Sequence, residues 1–332
     1  MKLKSLNFLL FLFLIIQLIG CSHSKKNNLP FTSFRFLISS EELAKYECDP
    51  PDYILITCDA IFCAKKLSST IVKFSKDFVP LKKYCHIGQG PGEFDGFFSI
   101  AKQGGNILIF THNKIVVLDN ELNFVKEIKR DVIIRSFYPF YSKERYYFAK
   151  ISDPWNVIVC DKDFNVLKKM KIENKIPFNS TSPLDKVFFY TFYPLIGKYV
   201  ISAGTFIDNE NCEFKIFNVE SLQFEKTYRW ENNEFHTSEK DYKLRRNLLL
   251  FGGVIELNDY YLLRVNFVKK LKDFRRNTIE GMVVFDKKTG KVVFKKYKVP
   301  FTILTHVYDY TGENKVFVYK ENKGIYSCKL EL

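Results

Sequence analysis

Length and charge limit what this chain can be. It has 332 residues, with 51 Lys and Arg against 37 Asp and Glu, for a formal net charge of +14. That length excludes a chain too small to bury a core, and it allows two domains or one large all-β domain. The charge would favour anionic partners such as lipid headgroups, acidic glycans or nucleic acid, although a compositional bias towards Phe, Lys, Asn, Ile and Tyr explains it better.

The N-terminal segment has the features of an export signal. Lys2 and Lys4 precede an apolar run from Leu6 to Ile19, and Leu18 to Cys21 end that run with small residues. The arrangement resembles a bacterial lipoprotein signal peptide. It implies that residues 1–20 are removed and that Cys21 carries a lipid.

Residues 21–30 read as a solvated tether that contains Lys25 and Lys26 and no acid. Two or more acyl chains on Cys21 would anchor the chain stably, so we expect a membrane partner and a location in the cell envelope at the outer membrane. The periplasmic face and the cell surface remain alternatives. Removal of two lysines with the signal leaves a net charge of +12. An exported protein is not expected to meet nucleic acid, and we expect a monomer.

Similar segments, each a strand, a polar turn and a second strand, recur along the chain. The closest pair is Val116–Glu127 and Ile158–Lys169, and looser copies lie at 72–83, 216–225 and 284–296. Their turns carry Asp, Asn, Ser or Gly, as tight hairpins require. Leu118 and Cys160 are 42 positions apart, close to the length of a four-stranded propeller blade.

Six apolar runs, some separated by wider gaps that leave room for insertions, predict six blades: Tyr53–Thr57, Asn106–Phe110, Tyr146–Ala149, Lys198–Ser202, Tyr260–Val265 and Lys315–Tyr319. The runs do not alternate with polar residues, so both faces of each sheet should be covered, as when blades pack face to face. The predicted fold class is all-β, with one six-bladed β-propeller of four-stranded antiparallel blades over residues 31–332. We expect the strand Phe34–Ile38 to pair with the last blade and close the ring.

The turn Gly88-Gln89-Gly90-Pro91-Gly92-Glu93-Phe94, followed by the segments 98–101, 105–109 and 113–118, is similar in order to an NHL-type propeller repeat. Its GxGPGEF form resembles the six-bladed propeller lipoproteins of Bacteroidetes-like bacteria, a family of largely unassigned function. One departure is Phe110-Thr111, where the NHL pattern usually has an aspartate, so the resemblance implies the fold and no shared ligand.

The glycines and proline of this turn force a sharp change of direction, because glycine adopts positive φ and proline fixes φ. The residues expected to build it are Gly88, Gly90, Pro91, Gly92 and Glu93. We expect the Glu93 carboxylate to accept backbone N–H groups that the turn leaves free. The alternative is a ligand contact at the mouth of the channel.

Two long insertions, residues 231–252 and 267–280, are expected at the same end of the ring as the 88–94 turn. In a propeller, loops that join successive blades share an end with the turns between the second and third strands. The first insertion should hold a helix, with Ser238 as N-cap and Leu244 and Leu248 one turn apart. Long loops are often functional, so this end is the predicted binding side.

The candidate binding residues at that end are one aromatic and seven basic residues: Trp155, Lys243, Arg245, Arg246, Lys269, Lys270, Arg275 and Arg276. Arginine suits bidentate contact with carboxylate, sulfate or phosphate groups, so the basic residues favour an anionic ligand. A solvated run of charge is the alternative.

The histidines and cysteines give only weak indications of a metal site, a general base or a disulfide. His86, His112 and His236 fall at the same end and form an alternative metal or general-base site, but they lack paired metal-ligand spacing. No cofactor and no catalytic residue is predicted. The cluster of Cys48, Cys58, Cys63 and Cys85 allows one disulfide or buried free thiols.

Together these patterns favour a non-catalytic, membrane-anchored propeller that binds a protein, peptide or glycan. The alternative function is a metal-assisted lyase or hydrolase that acts on an acidic polysaccharide.

Overall fold

A computed structural model describes residues 29–97, 99–111, 113–129, 140–142, 144–149, 157–162, 164–170, 191–194, 198–203, 212–218, 221, 223–231, 246–270, 278–305, 307–309 and 315–332. The signal segment and all of the tether except residues 29 and 30 lie outside these ranges. In the described part of the chain, no helix is long and apolar enough to cross a membrane.

The described strands form six β-sheets. Sheet 1 contains β2 (Tyr53–Ile56), β3 (Ile61–Lys65), β4 (Thr70–Phe74), β5 (Pro80–Tyr84) and β23 (Val307–Asp309). Sheet 2 contains β6 (Ser99–Gln103), β7 (Asn106–Phe110), β8 (Lys114–Asp119) and β9 (Phe124–Lys129). Sheet 3 contains β10 (Phe140–Ser142), β11 (Arg145–Ala149), β12 (Val157–Cys160) and β13 (Val166–Met170).

The second half of the chain supplies the other three sheets. Sheet 4 contains β14 (Thr191–Pro194), β15 (Lys198–Ala203), β16 (Cys212–Asn218) and β17 (Gln223–Trp230). Sheet 5 contains β18 (Arg246–Glu256), β19 (Tyr260–Lys270), β20 (Thr278–Asp286) and β21 (Val292–Lys296). Sheet 6 contains β22 (Thr302–Ile303), β24 (Lys315–Lys320), β25 (Gly324–Leu330) and β1 (Phe31–Ile38), and helix α1 (Ser40–Lys45) follows β1.

This architecture confirms an all-β propeller built from four-stranded antiparallel blades. The expectation of six such blades is wrong for the described chain, because five sheets have four strands and sheet 1 has five. The additional strand is β23, which pairs in parallel with β2 through Ile54 and Val307. The inner strand of sheet 6 is only two residues long, and the chain beyond it crosses to the edge of sheet 1.

The N-terminal strand closes sheet 6, as predicted. β1 pairs antiparallel with β25, from Phe31 opposite Leu330 to Ile38 opposite Ile325. This pairing covers the outer edge of β25, which would otherwise expose a row of free backbone groups.

Successive sheets pack face to face through apolar clusters. Phe62 of sheet 1 and Ile109 of sheet 2 share one cluster, and further clusters join sheets 2 and 3, 4 and 5, 5 and 6, and 6 and 1. All four residues of β2 and all five of β4 are buried. Burial on both faces explains why β2 is continuously apolar in the sequence, whereas β4 also buries Thr70 and Lys73.

The repeated hairpins share one turn geometry. In sheet 2, Asp119 Oδ1 accepts the backbone N–H of Asn123 at 2.8 Å, and Leu122 has φ of 55°. In sheet 3, Asp161 Oδ1 accepts from Asn165 N at 2.9 Å. A short polar side chain at the start of the turn therefore replaces a missing ladder hydrogen bond.

Candidate functional site

The 88–94 turn joins β5 of sheet 1 to β6 of sheet 2 and is held closed by its own groups. Gly90 N donates to Glu93 Oε2 at 2.9 Å, and Phe94 N donates to His86 O at 2.8 Å. A Cβ on Gly88 would lie 2.2 Å from Glu93 Oε2, so this position needs glycine to admit the carboxylate.

Lys114, at the start of β8, binds this turn from the neighbouring sheet. Its Nζ donates to Gly90 O at 2.7 Å and to Glu127 Oε2 at 2.9 Å, and the residue is only 4% exposed. The hydrogen bond from Lys114 is the main reason that the pKa of Glu127 lies below its ordinary value. These contacts place the 88–94 turn beside the β7–β8 turn, at what we call the hairpin end of the ring.

Among the described residues, an extension of sheet 5 stands out at the hairpin end. β18 and β19 have 11 residues each and β20 has nine, whereas the inner strand β6 of sheet 2 has five. Residues 246 and 248–251 of β18 pair with residues 270 and 265–268 of β19. Six residues of strand span about 20 Å.

This extension corrects two sequence-based expectations. The predicted helix is wrong at Leu248, which lies in β18, while Ser238 and Leu244 lie outside the described residues. The insertion 267–280 was expected as a loop, but its first four residues belong to β19 and its last three to β20. β19 pairs with β18 on one side and with β20 on the other, and these ladders supply the backbone hydrogen bonds that hold both segments as strands.

A glycine bulge marks the place where β18 leaves the body of sheet 5. The register shifts between Phe251 and Gly253, and Gly253 has φ of 130°. A Cβ on Gly252 would lie 2.7 Å from Asn266 Nδ2 and 2.8 Å from Arg264 Cγ. Glycine is therefore required for β18 to approach β19 so closely, and the bulge bends the strand there.

Partly buried polar residues anchor the base of the extension to sheet 6. Arg264 Nη2 lies 2.7 Å from Glu280 Oε1, and Arg264 Nη1 donates to Ile303 O at 3.2 Å. Thr302 Oγ1 also donates to Glu280 Oε1, at 2.8 Å. Burial raises the pKa of Glu280 above its ordinary value, and the charge of Arg264 offsets part of that effect.

The predicted basic residues fall partly on the extension. Arg246 begins β18 and Lys269 and Lys270 end β19, and the register sets Arg246 directly opposite Lys270. Trp155, Lys243, Arg245, Arg275 and Arg276 lie outside the described residues.

The opposite end of the ring, which we call the tether end, has the β18–β19 turn at residues 257–259 and the start of β1. Leu29 packs there on the apolar cluster that contains Leu257 and Leu330, and Glu331 N donates to Pro30 O at 2.9 Å. The described part of the chain therefore begins at the end away from the extension.

A cavity of about 360 Å³ at the tether end lies between sheets 4 and 5 and was not predicted. Its polar groups already bind each other, since Lys287 Nζ lies 2.8 Å from Glu256 Oε1 and Lys226 Nζ donates to Lys287 O at 2.9 Å. Burial raises the pKa of Tyr228 in its wall to about 12. A second cavity, of about 200 Å³, lies between sheets 6 and 1 beside Arg35 and Phe317. Only the fold brings these residues together, so no local pattern could reveal them.

The described residues bring no three His, Cys, Asp or Glu side chains together in a way that could hold a metal ion. His86 is exposed, with its ring centroid 4.5 Å from that of Tyr84, while His112 and His236 lie outside the described residues. Among the cysteines, Cys48, Cys58, Cys63 and Cys85 are all free thiols, and burial raises the pKa of Cys48 to about 12.

No family model and no curated protein matches the chain. Solved structures do resemble it. An exported protein of Bacteroides fragilis has a TM-score of 0.59 at 10% identity, over 83% of this chain and 88% of its own. A member of the DUF4221 family from Bacteroides vulgatus has a TM-score of 0.57 at 11% identity, over 83% and 91%. The WD40 domain of Neurospora crassa Pan2 has a TM-score of 0.52 at 11% identity, over 87% and 79%. At these identities the likeness establishes the fold alone.

Proposed function

We propose that this chain is an exported, lipid-anchored β-propeller that binds a protein, peptide or anionic glycan at its hairpin end and catalyses no reaction. The observation that carries the proposal is the extension of sheet 5, with three basic residues, Arg246, Lys269 and Lys270, at its far end. Elements that project from a rigid propeller suit recognition, because the scaffold positions them at little entropic cost.

A sequence motif and a similar solved structure support export, and the motif also supports lipid anchoring. The LIGC sequence at Leu18–Cys21 follows an apolar run, as in lipoprotein signals, and one solved structure with the same fold is an exported protein of Bacteroides fragilis. The tether enters the fold at Leu29, at the tether end. A lipid on Cys21 would hold that end towards the outer membrane and leave the extension of sheet 5 facing away.

The family also belongs to this proposal. The GxGPGEF turn at Gly88–Phe94 supports membership of the NHL-like propeller lipoproteins.

A charge-reversal experiment tests the binding end. The full lipid-anchored chain carrying Lys269→Glu and Lys270→Glu is compared with a control carrying Lys288→Glu and Lys291→Glu, which makes the same charge change at the tether end of sheet 5. Both are used to capture ligands from the native envelope and from an array of acidic glycans. We expect at least tenfold weaker capture with the first variant alone, and equal capture by both would contradict the proposal.

Anchoring is tested separately by replacing Cys21 with Ala and following the protein between membrane and soluble fractions. The wild-type chain should stay in the membrane fraction and label with a radioactive fatty acid. Labelling of the Cys21→Ala variant would contradict the assignment of the lipid.

A further inference from the structure

We propose that the free edge of β18, residues 246–251, binds an acidic peptide segment in extended conformation, which adds to sheet 5 as another strand. This inference rests on the proposed function and specifies its ligand. Strand addition to a sheet edge draws its affinity from backbone hydrogen bonds and its selectivity from side chains.

The topology leaves one edge of β18 available. Sheet 5 runs in the order β18, β19, β20, β21, so β18 is a terminal strand, and no described strand pairs with its other edge. Inner strands elsewhere are short, with three residues in β10 and four in β14. The 11 residues of β18 extend well beyond that length. A long edge of this kind is a template for another strand.

The glycine bulge separates this edge from the blade. Below it, residues 253–256 of β18 line the centre of the ring like the other inner strands, whereas 246–251 lie on the hairpin side of Gly252. Regular pairing with β19 above the bulge, including Leu249 opposite Phe267, keeps 246–251 extended. Arg264 Nη1 donates to Ile303 O of sheet 6 at 3.2 Å, which holds the base of the extension in place. A preordered strand lowers the entropic cost of adding a partner.

Charge selects the partner. The paired segments 246–251 and 265–270 read RNLLLF and VNFVKK, with three basic residues and no acid. A second copy of this strand would bring like charges together, which disfavours self-pairing. An acidic strand instead complements the charge, and the apolar run from Leu248 to Phe251 suits a partner that alternates acidic and β-branched residues.

Hydrogen exchange tests strand addition directly. The probes are two acetylated decapeptides, one alternating valine with glutamate and one alternating valine with lysine, added to the full lipid-anchored chain in detergent. We expect the glutamate peptide to slow amide exchange in residues 246–251 at least tenfold and the lysine peptide to have no effect. Unchanged exchange in 246–251, or equal protection by both peptides, would overturn the proposal.

Proline substitutions distinguish backbone pairing from mere charge attraction. Backbone N–H groups of adjacent strand residues point to opposite edges, so one of Leu248→Pro and Leu249→Pro removes an N–H bonded to β19 and the other removes an outward N–H. The outward variant keeps the wild-type Tm and should bind the glutamate peptide at least tenfold more weakly. Wild-type affinity in that variant would contradict strand addition. If both variants fail to fold, the hydrogen-exchange experiment on the wild-type chain is the deciding test.

The two proposals can fail separately. If neither peptide protects β18 while Lys269→Glu and Lys270→Glu still abolish capture of envelope ligands, strand addition is wrong and the hairpin end remains the binding side. If the glutamate peptide protects β18 but these substitutions leave envelope capture unchanged, the strand-binding edge stands and the proposed function fails.

Discussion

The ammonium of Lys114 lies 2.7 Å from the carbonyl oxygen of Gly90, and this contact ties the turn between sheets 1 and 2 to a strand of sheet 2. Lys114 also binds Glu127. Replacing Lys114 with Met leaves the carbonyl and the carboxylate without their common donor, so we expect the free energy of unfolding to fall by about 3 kcal/mol. Urea denaturation measures it, with the exposed Lys126→Met in β9 as control. An equal, small effect of both variants would show that the contact adds no stability.

Closure of sheet 6 depends on Gly324. This residue begins β25 with φ of 119°, and a Cβ there would lie 2.0 Å from Ile38 O of β1. We expect Gly324→Ala to lower Tm by roughly 10 °C or more, because both the backbone conformation and the approach of β1 are lost. Gly105→Ala is the control, since no atom lies within 4 Å of its Cβ position. Thermal denaturation gives the result, and a wild-type Tm for Gly324→Ala would refute this role of β1.

The partly buried pair of Arg264 and Glu280 should matter more than an exposed pair. Arg264→Met removes the charged hydrogen-bond partner of Glu280, which costs about 2–3 kcal/mol. Arg229→Met removes the partner of Glu213 in a pair with a 67% exposed arginine side chain, which costs less than about 1 kcal/mol. Chemical denaturation of both variants provides the comparison. Similar losses in both would mean that the base of the extension is not held by this pair.

The turn residue Asp119 gives a prediction about pH. Backbone and side-chain hydrogen bonds from Asn123 lower the pKa of Asp119 below its ordinary value of 3.8. Its contribution to stability is therefore complete above pH 3.8 and is lost as the pH falls through the lower pKa of the folded state. Asp119→Ala should lower Tm by about 2 °C at pH 7, and the difference from wild type should shrink below pH 3.8. A difference that grows as the pH falls would contradict the assignment.

The local sequence was sufficient to predict those elements whose structure depends on residues close together in the chain. The repeat at Val116–Glu127 and Ile158–Lys169 predicted hairpins, and both have the same turn, with Asp119 and Asp161 as acceptors. The sequence also predicted that Phe34–Ile38 pairs with the last sheet. The final repeat lacks an outer strand, and this N-terminal strand belongs to no other repeat.

The extension of sheet 5 could not be read in the same way. Residues 268–276 intersperse basic with apolar side chains, which suits a solvated loop as well as a strand, and Ser238 with Leu244 and Leu248 fits a helix. The partner strand decides between these states, and β19 is a strand through Lys270 because β18 is beside it. Sequence spacing contains no information on such a partner.

By itself, the sequence determined the class of fold, the turns of the hairpins and the end of the chain that closes the ring, because hydrophobic periodicity and turn chemistry act over a few residues. Only the tertiary structure decided that β23 joins sheet 1, that Arg264 reaches Ile303 of sheet 6, and that β18 presents a long edge beyond its glycine bulge. These features arise from contacts between residues distant in the chain, whose positions follow from the packing of whole sheets.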